Sequence, residues 1–333
     1  MKPLEPCGVR LAGTGSAVPP QVLHNRDLER MMDTSDEWIA QRTGIRERRI
    51  CDPTKEGTFT LGRDALVRAL EASGMAGKDL DLVICGTCTG EMPCPSTACR
   101  IASEVGATPA AAFDLTAACC GFVYSMNVAD SLIRSGRFRA VGVIGVDAMS
   151  TAIDYDDRSV SILFGDAAGA AVLVRDPDPT RGCIYQRMHA DGAGWSNLYI
   201  PRRPQEVPEE DRDNPIKLGC LRMNGREVFR FAVTKFRETV EDALAGTGLG
   251  VDQIAQFVCH QSNQRIIEAA REKIGIPPEK MPVNIDRFGN SSAGSAGLLL
   301  DQLRRDGKFG VGDHVVLVAF GGGLTWASGV WRI

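Results

Sequence analysis

The chain has 333 residues, a formal net charge of −4 and a composition that is 44% hydrophobic but only 6% aromatic. That length allows two ordinary domains or one large domain built from two similar halves, and the 36 glycines suit an α/β enzyme whose elements pack closely through small side chains. Lysine and arginine are interspersed with aspartate and glutamate, which excludes the clustered basic footprint of a nucleic-acid-binding protein.

In chain order, Met1 to Cys7 carries Lys2, Glu5 and two prolines, with no apolar segment of the signal-peptide kind. The longest apolar runs are strand length, far below the roughly 20 residues a membrane span needs. A soluble cytoplasmic protein with its eleven cysteines reduced is therefore expected. Leu82 to Cys85 is a dense apolar run, as in a strand buried on both faces. G-T-C-T-G follows it, Gly86 to Gly90, and offers Cys88 as the nucleophile of an α/β-hydrolase elbow. Cys85, Cys88, Cys94 and Cys99 give C-x₂-C-x₅-C-x₄-C, which lacks the paired tight knuckles of structural zinc, so no metal is expected.

Next comes T-A-A-C-C-G-F, Thr116 to Phe122. Phe122, Met126, Ala129, Leu132 and Ile133 then recur at helical spacing up to Gly136. A thiol at the start of that helix meets unpaired N–H groups and the positive dipole end, which favours thiolate. The competing reading is a small buried cysteine that only packs. Ala140 to Val146 and Ala170 to Val174 are further buried strands, and Pro201 to Gly219 is a charged, proline-rich surface loop. Gln256 to Cys259 reads as a strand that delivers His260, in H-Q-S-N, to its end. His24, His189 and His314 occupy less telling places and read as structural or exposed.

Ile266, Ile267, Ala270 and Ile274 mark a helix stopped by Gly275. In F-G-N-S-S-A-G, Asn290 is either a turn former or a site residue. Val315 to Phe320 is a strand followed by Gly321 to Gly323, a tight turn or a backbone that can approach a substrate carbonyl as an oxyanion hole does. Gly13 to Gly15 and Asp166 to Ala171 contain no G-x-G-x-x-G, so no nucleotide fingerprint results.

The chain also repeats itself. A-L-E-A-S-G-M-A-G-K-D-L-D-L-V-I-C, ending at Cys85, aligns without a gap on A-L-A-G-T-G-L-G-V-D-Q-I-A-Q-F-V-C, ending at Cys259, an offset of 174 positions. At nearly the same offset, F-D-L before the double cysteine faces N-I-D before F-G-N-S-S-A-G, and the strand from Ala140 faces the one from Val315. Two β/α halves, 1–175 and 176–333, are expected to share one core, with the site at their pseudo-symmetric junction. On that frame Asn290 takes the place equivalent to the double cysteine.

With Cys, His and Asn in this order, the sequence resembles the thiolase-fold condensing enzymes, specifically the β-ketoacyl-[acyl carrier protein] synthase III family. The resemblance is carried by T-S-D-E-W-I-A-Q-R-T-G-I-R-E-R-R-I (from Thr34), F-D-L-T-A-A-C-C-G-F (from Phe113), I-L-F-G-D-A-A-G-A-A (from Ile162), H-Q-S-N-Q-R-I-I (from His260), D-R-F-G-N-S-S-A-G-S (from Asp286) and A-F-G-G-G-L-T-W (from Ala319). It implies a thiolase-like α/β fold with duplicated halves in a five-layered α-β-α-β-α core. It implies Cys119 as nucleophile, with Cys120 packing where the family commonly has a small residue, and His260 and Asn290 as the other catalytic residues. The N–H groups of Cys119 and Gly323 are then the oxyanion hole. Trp38, Arg42 and Arg158 match CoA contacts, Phe229 and Asn263 match the pantetheine tunnel, and Arg265 matches a residue that docks the acidic carrier protein.

The implied activity starts fatty acid synthesis by condensing a short acyl-CoA with malonyl-[acyl carrier protein], in a homodimer with no cofactor, CoA thioesters being substrates. Some departures bear on the primer. Cys94 stands where some members have a Phe that reaches the partner's acyl pocket, so a deeper pocket and a branched or longer primer are implied. Arg226 and Ser159 replace a common Asn and Gly, and the charged loop from Arg202 to Asp213 alters the tunnel mouth. The rival readings are a related acyltransferase or condensing enzyme of secondary metabolism, and the Cys88 hydrolase.

Overall fold

The computed structural model describes residues 6–333, so the reading of the first seven residues falls mostly outside the described residues. Two sheets organise the chain. In the first, the strands follow the order Gly8–Ala17, Asp166–Asp176, Ala140–Ala148, Leu82–Gly86, Ala111–Leu115. Its first two pairings are antiparallel and its last two parallel. The second sheet runs Ile254–Cys259, His314–Gly321, Thr325–Arg332, Gly182–Ala190, with one parallel pairing followed by two antiparallel ones.

Side chains alternate across a strand, so a continuous apolar run must feed two cores. Leu82 and Ile84 enter the central core, whereas Val83 and Cys85 enter an outer one. Val315, Leu317 and Ala319 likewise point to the centre, and Val316, Val318 and Phe320 to the opposite outer core. The central core is filled by two helices between the sheets, Gly121–Arg134 through Phe122, Met126 and Ile133, and Gly294–Arg305 through Leu299, Leu300 and Leu303. Thr58–Ser73 covers the first sheet outside, and Gly225–Thr247 with Gln264–Ile274 covers the second. The layers are therefore α-β-α-β-α. None of the described helices is long and apolar enough to cross a membrane.

Small residues set the spacing of these layers. A Cβ on Gly169, in the first sheet, would lie 2.1 Å from the Gly297 backbone in the central helix. The aligned segments also end their helices alike, because Gly74 and Gly248 cap them in the left-handed conformation at φ 70° and 71°. Pro201 to Gly219 contains two short 3₁₀ helices, Pro204–Glu206 and Glu209–Asp211, and otherwise turns and irregular backbone. It is not wholly a surface loop: Val207 is buried, and the Tyr199 hydroxyl donates to Asp211 Oδ2 at 2.6 Å, which ties the loop to the body.

Candidate active site

Two turns, one entering each central helix, meet at the junction of the sheets. Strand Ala111–Leu115 leads through a 3₁₀ turn, Ala118–Cys120, into helix Gly121–Arg134. The other turn runs from Asn290 into helix Gly294–Arg305. Among the described residues, two non-glycine residues have positive φ, Ala118 at 45° and Ser292 at 48°. They are 174 positions apart, the offset of the sequence repeat. Such backbone costs of order 1–3 kcal/mol per residue and persists only where its surroundings impose it. By this register Asn290 lies opposite Thr116 rather than opposite the cysteines: the turn is equivalent, but the residue is three places earlier.

Cys119 is buried, and its Sγ accepts a hydrogen bond from Ser292 Oγ at 3.4 Å across that junction. Burial pushes the thiol up to about 12, opposed first by the Ser292 hydroxyl. Asp147, a fully buried carboxylate, raises it further. The thiol is therefore protonated in the closed site, which corrects the expectation that the helix end leaves a thiolate: desolvation outweighs the hydrogen bonds that favour the charged form. Asp147 has a structural task as well. It accepts from the N–H groups of Cys88, Thr89 and Ala293 and from the hydroxyls of Thr87 and Thr89, and so fastens the loop after strand Leu82–Gly86 to the Ser292 turn.

His260 follows strand Ile254–Cys259 directly, and its N–H donates to the Val318 carbonyl at 2.9 Å. Its ring lies edge-on to Phe320, centroids 5.6 Å apart, and its Nδ1 is 2.6 Å from Ser295 Oγ. With no carboxylate beside it, burial alone holds the ring neutral, its pKa lowered to about 3. Asn290 is anchored by its backbone to Leu163 and Gly165. Its Oδ1 accepts the Ser292 N–H at 2.9 Å, which turns the amide so that Nδ2–H₂ is the group left for a ligand.

A stability effect follows from His260. Its folded pKa of about 3 lies below the ordinary 6.5, so between those values the unfolded chain binds a proton that the folded one does not. Stability from this residue is present above pH 6.5 and is lost as pH falls towards 3, by up to about 1.4 kcal/mol per unit. Urea titrations at several pH values should show this slope in the wild type and its loss in His260→Gln.

Two cavities meet at Cys119. The smaller, about 90 Å³, is lined by Cys119, His260, Asn290, Phe229 and Asn263 among others. The larger, about 720 Å³, is lined by Cys119, Gly322, Gly323, Cys88, Met149 and Leu221 among others. A Cβ on Gly321 would lie 2.8 Å from the Cys119 nitrogen, so the glycine run brings one strand end hard against the Cys119 turn. Outside the smaller cavity, Arg42 and Arg158 lie over the Trp38 ring at 5.3 and 5.1 Å from its centroid. Asn263 Nδ2 donates to the Arg42 carbonyl at 3.1 Å, which links that cluster to the cavity wall. Arg265 lies over Phe229, 5.8 Å from the ring centroid.

Other candidates sort differently. Cys120 is fully buried in the central core. Cys88 lines the larger cavity but sits on no elbow, because strand Leu82–Gly86 is followed by a connection that delays the next helix to Thr97. Its thiol is pushed well up by burial and Asp147. Cys94 is exposed and lines neither cavity of this chain. Among the described residues no group of three His, Cys, Asp or Glu is disposed to hold a metal. Sequence reasoning missed Ser292, Ser295 and Asp147. The serines follow Asn290 closely, but a hydroxyl residue after a turn is too common to single out.

Comparison with known proteins points one way. Residues 113–192 match the family model for 3-oxoacyl-[acyl-carrier-protein] synthase III, and residues 244–333 match that for its C-terminal part. The chain is 42% identical over 320 residues to a β-ketoacyl-[acyl-carrier-protein] synthase III of Caldanaerobacter subterraneus subsp. tengcongensis, covering 96% of each chain. It is similar to the crystal structure of 3-oxoacyl-[acyl-carrier-protein] synthase III from Aquifex aeolicus VF5, at a TM-score of 0.90 and 40% identity, over 98% of this chain and 100% of that one. It is also similar to the priming β-ketosynthase of the R1128 polyketide biosynthetic pathway, at a TM-score of 0.91 and 34% identity, over 100% of this chain and 98% of that one.

Proposed function

Because this chain belongs to the β-ketoacyl-[acyl-carrier-protein] synthase III family of acyl-transferring condensing enzymes, we propose that it condenses a short acyl-CoA with malonyl-[acyl carrier protein] through Cys119, His260 and Asn290. The observation that carries this is the convergence of those three side chains on one small cavity, with His260 neutral and the Asn290 oxygen already tied to Ser292.

Cys119 first attacks the acyl-CoA carbonyl. Its sulfur–carbon bond forms as the bond to CoA breaks, and the thiol proton leaves with the departing CoA as CoA–SH. The N–H groups of Cys119 and Gly323 receive the transient oxyanion. The acyl group then occupies the larger cavity. Malonyl-carrier protein enters by the smaller one, past Phe229 and Asn263. Its carboxylate leaves as CO₂, and the electron pair passes to the thioester oxygen as an enolate. Such an oxygen needs donors and no competing base, which the His260 ring N–H and the Asn290 amide provide. Collapse of the enolate onto the acyl carbon breaks the sulfur–carbon bond and gives the 3-oxoacyl product, and the freed sulfur of Cys119 takes a proton from solvent.

Trp38, Arg42 and Arg158 are assigned to the CoA nucleotide, where a ring face and guanidinium groups suit adenine and phosphate. Arg265 is assigned to the acidic carrier protein, and Cys94 to tuning the acyl pocket of a partner subunit in a homodimer. The reading includes two duplicated halves, 1–175 and 176–333, a cytoplasmic location, no cofactor, and a branched or longer primer. A role in secondary metabolism is the second reading, favoured by the likeness to the priming ketosynthase. The test is stoichiometry: acyl-CoA and malonyl-carrier protein should give CoA, CO₂ and 3-oxoacyl-carrier protein in equal amounts. CoA release without CO₂ would mean simple acyl transfer and overturn the proposal.

A further inference from the structure

Among the described residues the Cys119 sulfur has one side-chain hydrogen bond, from Ser292 Oγ at 3.4 Å. That hydroxyl has no second partner there, whereas the backbone of Ser292 is fully engaged. Its N–H donates to Asn290 Oδ1 at 2.9 Å, and its carbonyl accepts the N–H and the hydroxyl of Ser295 at 3.2 and 2.9 Å. Ser292 at φ 48° and Ala118, which precedes Cys119, at 45° place both sides of the contact on backbone that only the surrounding packing imposes. Ser292 is 2% and Cys119 8% exposed, so water competes poorly for the sulfur.

The other groups facing this sulfur do not help it to carry charge. Asp147, on strand Ala140–Ala148, opposes ionisation. Cys88, in the loop after Leu82–Gly86, and Cys120, in the same turn, are thiols that burial pushes up. His260, at the end of strand Ile254–Cys259, shares the smaller cavity and is neutral. On the wall of the larger cavity the one cation, Arg202, is outnumbered by Glu56 and Glu91. A thiolate has no proton to give, so as the sulfur gains charge its contact with Ser292 can only run from hydroxyl to sulfur, and it strengthens.

We infer that Ser292 is a further catalytic residue: its hydroxyl donates to the Cys119 sulfur as that sulfur gains negative charge in the attack on the acyl-CoA carbonyl. The hydroxyl keeps its own proton throughout, and the proton of the thiol ends on the departing CoA. Once the sulfur–carbon bond has formed the charge is gone, so the contact matters least in the acyl-enzyme. It strengthens again when attack by the enolate returns the electron pair to the sulfur. The hydroxyl thus serves the two steps that charge the sulfur, while the N–H of the same residue serves decarboxylation by turning the Asn290 amide. The consequence for turnover rests on the proposed reaction, whereas the effect of the hydrogen bond on the thiol does not.

The test is alkylation of Cys119 by iodoacetamide between pH 7 and 9.5, followed by peptide mass spectrometry in the full-length wild type, Ser292→Ala and Ser292→Gly. Both variants keep the N–H that holds Asn290, and glycine takes left-handed backbone without strain, so agreement between them isolates the hydroxyl. A hydrogen bond to a charged group changes the thiolate population about 10–100-fold, and the more basic sulfur left without it is several-fold more nucleophilic. Alkylation of both variants should therefore fall about 3–15-fold at each pH. The roughly tenfold rise per pH unit should remain, as for a thiol that ionises well above this range. Acylation by acyl-CoA should fall by a similar factor in kcat with KM unchanged, and decarboxylation of malonyl-carrier protein by less than about twofold. Alkylation at the wild-type rate in either variant overturns the inference. So does a loss in alanine that glycine does not share, which makes strain the cause, or a loss of decarboxylation equal to that of alkylation, which makes it a general disturbance of the site. If wild-type Cys119 takes no acyl group from any acyl-CoA, the proposed reaction fails, and the alkylation rates still decide the role of Ser292.

Discussion

Cys119→Ala is expected to lower condensation by at least about 10⁴-fold, because in the proposed reaction Cys119 carries the covalent acyl intermediate. Decarboxylation of malonyl-carrier protein should survive in the same variant. The donors for that step do not depend on the sulfur: His260 is held by Ser295 and the Val318 carbonyl, and Asn290 by Ser292 and the Leu163–Gly165 backbone. What the Ser292 hydroxyl loses is one weak sulfur acceptor at 3.4 Å. The neighbouring Cys120 supplies the contrast. It is fully buried among apolar side chains, so Cys120→Ala should leave acylation within about threefold of wild type and cost about 1 kcal/mol of stability for the lost packing. Mass spectrometry for the acyl group, ¹⁴CO₂ release for decarboxylation and urea unfolding for stability separate these effects.

The second large effect belongs to the donors. His260→Ala and Asn290→Ala should each lower condensation by about 10²–10³, as removal of one preorganised donor to a developing oxyanion does. Each should still accept the acyl group on Cys119, since the oxyanion donors proposed for that step are the N–H groups of Cys119 and Gly323. The double variant should fall by less than the product of the two, because in the proposed reaction both side chains serve one oxygen. Asn290→Asp is the more informative replacement. It keeps the shape and the acceptor for Ser292 N–H but exchanges the free amide donor for a second acceptor oxygen, so it should be at least as damaging as alanine. Loss of acylation in these variants would show that the donors serve the first step instead.

The strands were legible because burial on both faces leaves an unmistakable run, as at Leu82 to Cys85 and Val315 to Phe320. The helix ends were legible where glycine was needed, at Gly136 and Gly275, which both adopt positive φ. Motif context was harder. G-T-C-T-G satisfies the pattern of a nucleophile elbow, but Pro93 and Pro95 postpone the helix to Thr97, and without an immediate helix the elbow does not form. The state of the Cys119 thiol was misjudged for a different reason. Position at a helix start is visible in sequence, whereas the depth of burial that opposes ionisation is a property of both halves packed together. Ser295 and Asp147 were illegible on the same ground, since their partners lie 35 and up to 146 positions away.

The most direct measurement is to incubate the protein with a panel of acyl-CoAs, without malonyl donor, and to map the covalent adduct by peptide mass spectrometry. A single acyl group on Cys119 is the predicted result, with the favoured chain reporting how the larger cavity selects its primer. An adduct on Cys88 or Cys120, or none with any acyl-CoA, would contradict the assignment of Cys119 as the nucleophile of an acyl-CoA-dependent condensation.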